Sequence, residues 1–208
     1  MDIYYLGANC LKISTKKTTI FVDPVVPGLK VDTTKSGFNM VTNKDLIDFK
    51  SEAFLINTPG EYEIGGLSVR GIATRAHMDE PDSHRATMFK ITHDNFNVVV
   101  TGHIFPALTD EQVEILGTVD ILAVPVGGNG YTVDGEGASQ LIRKLEPKVV
   151  IPTHFADKSV KYEVPQADLK IFLDEMGIQN PEELESFKIG SSTILPEQLQ
   201  VTVLKRAD

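Results

Sequence analysis

Two nearly continuous apolar runs, "DILAVPV" at 120–126 and "KVVIP" at 148–152, bracket one helical stretch. Uninterrupted apolar strands are buried on both faces, as in parallel sheets; half-solvated strands alternate instead. Between the two runs, Asp134 is placed to cap "GEGASQLIRKLE", whose Ala138, Leu141, Ile142 and Leu145 fall on one helical face. A buried strand, a helix with one apolar stripe and a second buried strand commit this half of the chain to a layered α/β fold.

The rest of the chain fits around that unit. The first half reads as short strands: "DIYYLG", "CLKIS", "TTIFVDP", "EAFLINT", "GGLSVRGIAT", "TMFKITHD" and "NFNVVVTGH". Gly, Pro, Asn or Asp separates most of them. His93-Asp94-Asn95 is predicted as the turn of a hairpin. Pro24 to Asn39 reads as a loop. Thr109 and Gln112 form a capping-box pattern ahead of "DEQVEIL". A further helix is predicted from Pro165, with Leu169, Phe172, Leu173 and Met176 on one face and Gly177 as its stop. "PEELESF" reads as one or two more helical turns, and "LQVTVLKR" as a closing strand. The expectation is one α/β domain over 1–208, with two sheets and helices packed outside.

Composition narrows the function classes. The net charge is −9 and the basic residues are scattered, so no nucleic-acid partner is expected. No run approaches roughly 18 apolar residues, so no membrane span is expected, and the first ten residues lack a secretory pattern. The only cysteine, Cys10, rules out an intramolecular disulfide, fits a cytoplasmic location, and reads as a core residue. No Ser or Cys sits in a nucleophile elbow. "GGNG" at 127–130 does not match a phosphate loop and reads as a tight turn.

Ligands in α/β folds collect at the carboxyl ends of strands. Asp23, His77 with Asp79, His103 and His154 stand at four such ends. Neutral imidazoles and carboxylates suit zinc or another divalent ion. Each histidine taken singly is more often a hydrogen-bonded structural residue. His84 and His93 lie in polar, turn-like stretches and are expected to be solvated.

The segment "TGHIFPALTDEQVEILGTVDILAVPVGGNGYTVDGEGASQLIRKLEPKVVIPTHF" resembles the C-terminal half of the metallo-β-lactamase fold. "YYLGANCLKI" with "TIFVDP" resembles that family's opening hairpin, and "NTPGEYEIGGLSVRGI" resembles its Pro-Gly-Glu-Tyr-Glu strand region. The group it is most similar to is the small predicted zinc-dependent hydrolases related to the ascorbate-lactone hydrolases. The resemblance implies a four-layer αββα sandwich with the site at one edge of the two sheets.

The family's His-x-His-x-Asp-His motif, which holds most of a dinuclear metal site, is missing. No histidine lies between Asp23 and Glu61, and the corresponding stretch offers only Asn43, Asp45 and Asp48. Ala8 stands where the opening hairpin often carries Gly-His, and His103 stands at the bridging aspartate. His154 matches the last ligand and His77 a mid-chain histidine. The first reading is therefore a fold of this family with a degenerate metal site and little or no hydrolysis, serving an unknown small molecule or protein partner. A homo-oligomer is compatible with this reading. The alternative is a hydrolase using a single divalent metal, zinc or another, on His77, His103 and His154. Asp23 would then orient the ligands and Asp79 would serve as a further ligand or base. Either one metal or none is compatible with these residues. Glu61 and Glu63 of Pro59–Glu63 read as solvated turn charges.

Overall fold

Alternating apolar residues make the early chain a series of half-buried strands. The computed structural model describes residues 1–45, 47–190 and 193–207. In chain order the first strands are β1 (Asp2–Gly7), β2 (Cys10–Ser14), β3 (Thr19–Val22), β4 (Phe38–Met40), β5 (Phe54–Ile56), β6 (Gly60–Ile64), β7 (Leu67–Thr74), β8 (Ala86–His93) and β9 (Phe96–Val100). Then come α1 (Asp110–Leu116), β10 (Ile121–Pro125), α2 (Gly135–Leu145), β11 (Val149–Thr153) and α3 (Leu169–Glu175). Three strands close the chain: β12 (Glu182–Leu184), β13 (Phe187–Lys188) and β14 (Gln200–Leu204).

The strands form two sheets. One is six-stranded in the order β13-β1-β2-β3-β4-β5, and the other eight-stranded in the order β12-β14-β11-β10-β9-β8-β7-β6. The buried unit read from the sequence is parallel, with Ile121 opposite Val149 and Pro125 opposite Thr153. Between the sheets lie Ile3, Ile13, Ile20 and Phe38 from one side and Phe89, Val98, Ile121 and Ile151 from the other. The far side of the larger sheet supplies Val99, Leu122, Val124 and Val150 to a second cluster. That cluster also takes Leu116 of α1, Leu141 and Ile142 of α2, and Phe172 of α3. Each of these buried apolar side chains contributes about 1.5–3 kcal/mol of transfer free energy. The architecture is an α/β sandwich of two sheets with helices outside, as the resemblance implies. The three helices pack on the larger sheet. Among the described residues no helix covers the outer face of the smaller one, which residues 29–35 cross instead.

The helix starts at Thr109 and Asp134 are as expected. Thr109 Oγ1 accepts from the Gln112 N–H while the Gln112 side chain accepts from the Thr109 N–H. Asp134 accepts from Gly137 N–H at 2.8 Å. The β8–β9 hairpin also forms, with His93 opposite Phe96. Two elements differ. The third helix begins at Leu169, not Pro165, because Asp168 caps it by accepting from Lys170 N–H. Residues 165–167 stay outside the helix, and Ala167 N–H is committed to the Gly127 carbonyl at 2.8 Å. "PEELESF" is not helical. Its backbone is taken up by sheet edges: β12 pairs with β14, and Phe187 pairs with Ile3. An available ladder outweighs the local preference of a short acidic segment.

Two strands lie where the sequence offered turn signals. β4 takes up Phe38 and Asn39, the last two residues of the expected Pro24–Asn39 loop, and slots between β3 and β5, while β6 takes up the Gly-Glu-Tyr-Glu run. Glu61 and Glu63 are exposed on this edge, and Glu61 pairs with Arg70 at 3.2 Å. Among the described residues no helix is long and apolar enough to cross a membrane.

Candidate functional site

The carboxyl ends of β3, β7, β9 and β11 meet at one edge of the sandwich, and each delivers a residue singled out above. Two of these residues leave their strands in the left-handed region that side chains avoid: Asp23 at φ 46° and His154 at φ 53°. Such a conformation costs roughly 1–2 kcal/mol and persists only where neighbours fix it. They do so here. His154 N–H donates to the Ala8 carbonyl at 2.7 Å, and Asp23 N–H donates to the Met40 carbonyl at 2.9 Å.

Asp23 sits at the centre of a buried polar chain. Its carboxylate accepts from Asn9 Nδ2 at 2.6 Å, from Thr42 N–H at 2.7 Å and from Thr42 Oγ1 at 2.6 Å. Asn9 Oδ1 in turn accepts from Thr153 Oγ1 at 2.8 Å, which ties β3 to the end of β11. Burial pushes the Asp23 carboxyl up to about 6, with the Thr42 and Asn9 hydrogen bonds pulling against it. The Asp23 oxygens are thus committed to protein donors.

His103 and His154 lie side by side, their rings at 84° with centroids 4.9 Å apart. Burial, reinforced by the neighbouring His154 and His77, pushes His103 down to about 3. Burial also lowers His154 to about 4, against a hydrogen bond with Gln166 that favours the charged form. Both are therefore neutral near pH 7. Gln166 Nε2 donates to the Val164 carbonyl at 2.7 Å, which leaves Oε1 facing His154 Nδ1 at 3.1 Å. An amide oxygen only accepts, so Nδ1 of His154 carries the proton and Nε2 keeps a lone pair. Tyr131 packs edge-on to His103 at 5.7 Å, and Tyr162 lies 5.1 Å from His154.

His77 joins this pair through the main chain. Its N–H donates to the His103 carbonyl at 2.9 Å, and a bridge links Ala76 with Ile104. The Nδ1 atoms of His77 and His103 are buried without a hydrogen-bond partner. Asp79 is directed elsewhere. It accepts from Ser83 Oγ at 2.8 Å and from Arg85 through both Nε and Nη2. The hydrogen bond from Arg85 holds the Asp79 carboxyl below its ordinary value. The same guanidinium reaches Asp45 at 3.5 Å.

The donor set does not fit a dinuclear metal centre. Among the described residues, no three His, Cys, Asp or Glu side chains are grouped so as to hold a metal ion. Two imidazoles stand together, the third is joined to them through the main chain, and the nearby carboxylates are bonded to Arg85, Thr42 and Asn9. What the edge does form is a pocket of about 310 Å³, whose lining includes Asp23, His103, Tyr131, His154, Lys161 and Tyr162. Pockets of this size take small molecules.

Sequence reasoning placed Asp23, His103 and His154 at this edge but missed Tyr131, Tyr162, Gln166 and Arg85. The two tyrosines lie on loops, where functional side chains concentrate, so their position was the available signal. The "GGNG" run also has a role beyond a turn. A Cβ on Gly127 would lie 2.0 Å from the His154 carbonyl oxygen, so only glycine lets the two loops approach. Cys10 is buried, which pushes its thiol up, and His84 is exposed, both as expected. His93 is half-buried, not solvated, because it closes the β8 ladder opposite Phe96.

Residues 2–154 match the model of the beta-lactamase superfamily domain, a match that ends on His154 itself. A UPF0173 metal-dependent hydrolase of Listeria welshimeri is 26% identical over 195 residues, covering 74% of this chain and 85% of that protein. Among solved structures, a candidate Zn-dependent hydrolase of the metallo-β-lactamase superfamily from Thermotoga maritima superposes with a TM-score of 0.74. It is 23% identical, with 98% of each chain covered. An isothiocyanate hydrolase from Delia radicum gut bacteria gives a TM-score of 0.63 at 10% identity, over 100% of this chain and 97% of the other. At these identities the structural likeness establishes the fold.

Proposed function

Because the chain belongs to the beta-lactamase superfamily domain family, we propose that it is a member with a degenerate dinuclear metal site, and that its pocket binds a small molecule with little or no hydrolytic turnover. The observation that carries this reading is Arg85. One guanidinium engages both Asp79 and Asp45, so these two carboxylates are already paired with a protein cation. Carboxylates already held by arginine have little left to attract a divalent ion. The neutral histidine pair and its two flanking tyrosines then offer ring faces and imidazole lone pairs, a recognition surface for a small polar molecule. The metal-dependent hydrolysis named for the relatives belongs to those proteins. A cytoplasmic location, suggested by the single cysteine, is part of the same proposal.

A second reading is supported by the buried, unpartnered Nδ1 atoms of His77 and His103. In it a single divalent metal, zinc or another, sits on His77, His103 and His154 for hydrolysis. Asp23 orients the ligands, and Asp79 would have to leave Arg85 in order to act. One experiment separates the two readings. Protein purified without chelator is expected to carry substoichiometric zinc, manganese and iron. It should show no metal-dependent turnover of lactone, phosphodiester or β-lactam substrates. Stoichiometric metal that is lost on His154→Ala, together with turnover that follows the metal, would sink the degenerate-site reading and establish the second.

A further inference from the structure

The outer face of the six-stranded sheet carries a site of a different character. Ile3, Tyr5, Leu11, Ile13, Ile20 and Val22 point into the core, so Tyr4, Leu6, Lys12, Ser14, Thr19 and Phe21 are directed outward by the strand alternation. Register places Tyr4 opposite Lys12 and Lys12 opposite Phe21, a cation between two aromatic rings. The Lys12 ammonium lies 5.0 Å from the Tyr4 ring centroid. Residues 29–35 pass over this row, and Arg206 and Ala207 complete the lining of a groove of about 570 Å³.

Its charge is opposite to that of the chain, whose net charge is −9. Lys12, Lys30, Lys35 and Arg206 line the groove against one carboxylate, Asp32. Asp32 accepts from Thr34 N–H at 3.0 Å and from Thr34 Oγ1 at 2.7 Å. Arg206 is taken up by Asp157 at 3.0 Å. The three lysines therefore share the groove with Tyr4, Leu6, Phe21, Leu29 and Val31, with only one acidic residue in the lining.

We propose that this groove binds a small organic anion made of a flat apolar ring body and a single carboxylate head. The ring of Tyr4, with Leu29 and Val31 beside it, meets the body, and Lys12 and Lys30 meet the head. The volume suits a molecule of that size. A second copy of the chain packed face to face would set these lysines against their own counterparts, which like-charge repulsion opposes.

Isothermal titration of the full chain with 2-naphthoate tests this, with 2-naphthalenemethanol as the neutral control. Naphthoate is expected to bind, and the alcohol about tenfold more weakly or not at all. Lys12→Glu and Lys30→Glu should each weaken naphthoate about tenfold while melting like the parent protein. Lys30 is exposed, so its variant keeps the test valid should Lys12→Glu fail to fold. His154→Ala should leave naphthoate binding in place, locating it away from the histidine pocket. The proposal is overturned by no binding, by equal binding of the alcohol, by full affinity in both folded lysine variants or in Lys30→Glu alone, or by loss of binding in His154→Ala. A dimer in sedimentation velocity that Lys12→Glu dissociates would also overturn it, because the face would then belong to a second copy.

Discussion

His154 illustrates how a residue at a strand end can be held in place by its protein neighbours alone. Its left-handed backbone is fixed by the Ala8 carbonyl, its tautomer by Gln166, and its carbonyl is approached by Gly127. None of these contacts requires a metal. The approach at Gly127 gives a direct test. Gly127→Ala puts a methyl group against a backbone oxygen and a buried glutamine, so the overpacking should cost about 1–3 kcal/mol. Chemical denaturation measures that loss, and the His154 ring resonances should shift with it. Unchanged stability would show that the loops can separate freely. The histidines at strand ends were legible in the sequence because an apolar strand followed by a polar residue announces its own end. Arg85 was not, since its role exists only once Asp45 and Asp79, far apart in the chain, are brought to the same guanidinium.

Among the elements, α1 is the one whose placement depends most on its first turn. Seven residues form a marginal helix by themselves. The capping box satisfies its leading N–H groups, and Gln112 Nε2 also donates to the Ala73 carbonyl at 2.8 Å, joining the helix to β7 just ahead of the His77 loop. Thr109→Ala should cost about 0.5–2 kcal/mol. Hydrogen exchange should locate the added opening in residues 109–117. Exchange that stays at parent rates there would mean that burial of Leu116 alone holds the helix. The helices on either side of β10 were legible because their caps are local chemistry. β12 and β13 were not. Glu-Glu-Leu and Phe-Lys become strands only because β14 and β1 offer open edges, and a partner more than a dozen residues away leaves no mark on the segment itself.

For the molecule as a whole, the buried titratable groups set opposing pH dependences. His103 and His154 have folded values of about 3 and 4 against an ordinary 6.5, so the unfolded chain binds more protons as pH falls below 6.5. Their contribution to stability is fully present above that point and is lost as pH falls toward 4. Asp23, raised from 3.8 to about 6, acts in the other direction. The native state holds its proton first, so acidification from 6 to 3.8 favours folding through this group. Two imidazoles against one carboxyl leave a net loss, and the melting temperature should decline between pH 6.5 and 4. Asp23→Asn removes the opposing contribution, and its decline should be steeper. A flat profile across that window in the parent protein would contradict neutral burial of the histidine pair.

The central strands of the larger sheet face two hydrophobic clusters at once. Ile121 and Ala123 fill the space between the sheets, while Leu122 and Val124 meet the helices. A slip of one residue would exchange the two sets, pressing leucine into a space shaped for alanine on one side and opening a void on the other. Each strand is therefore proofread from both faces, and a misalignment tolerated by one layer is rejected by the next. The groups at the strand ends inherit that accuracy, so the shape of the pocket edge is set by the layers beneath it and not by the side chains displayed on it.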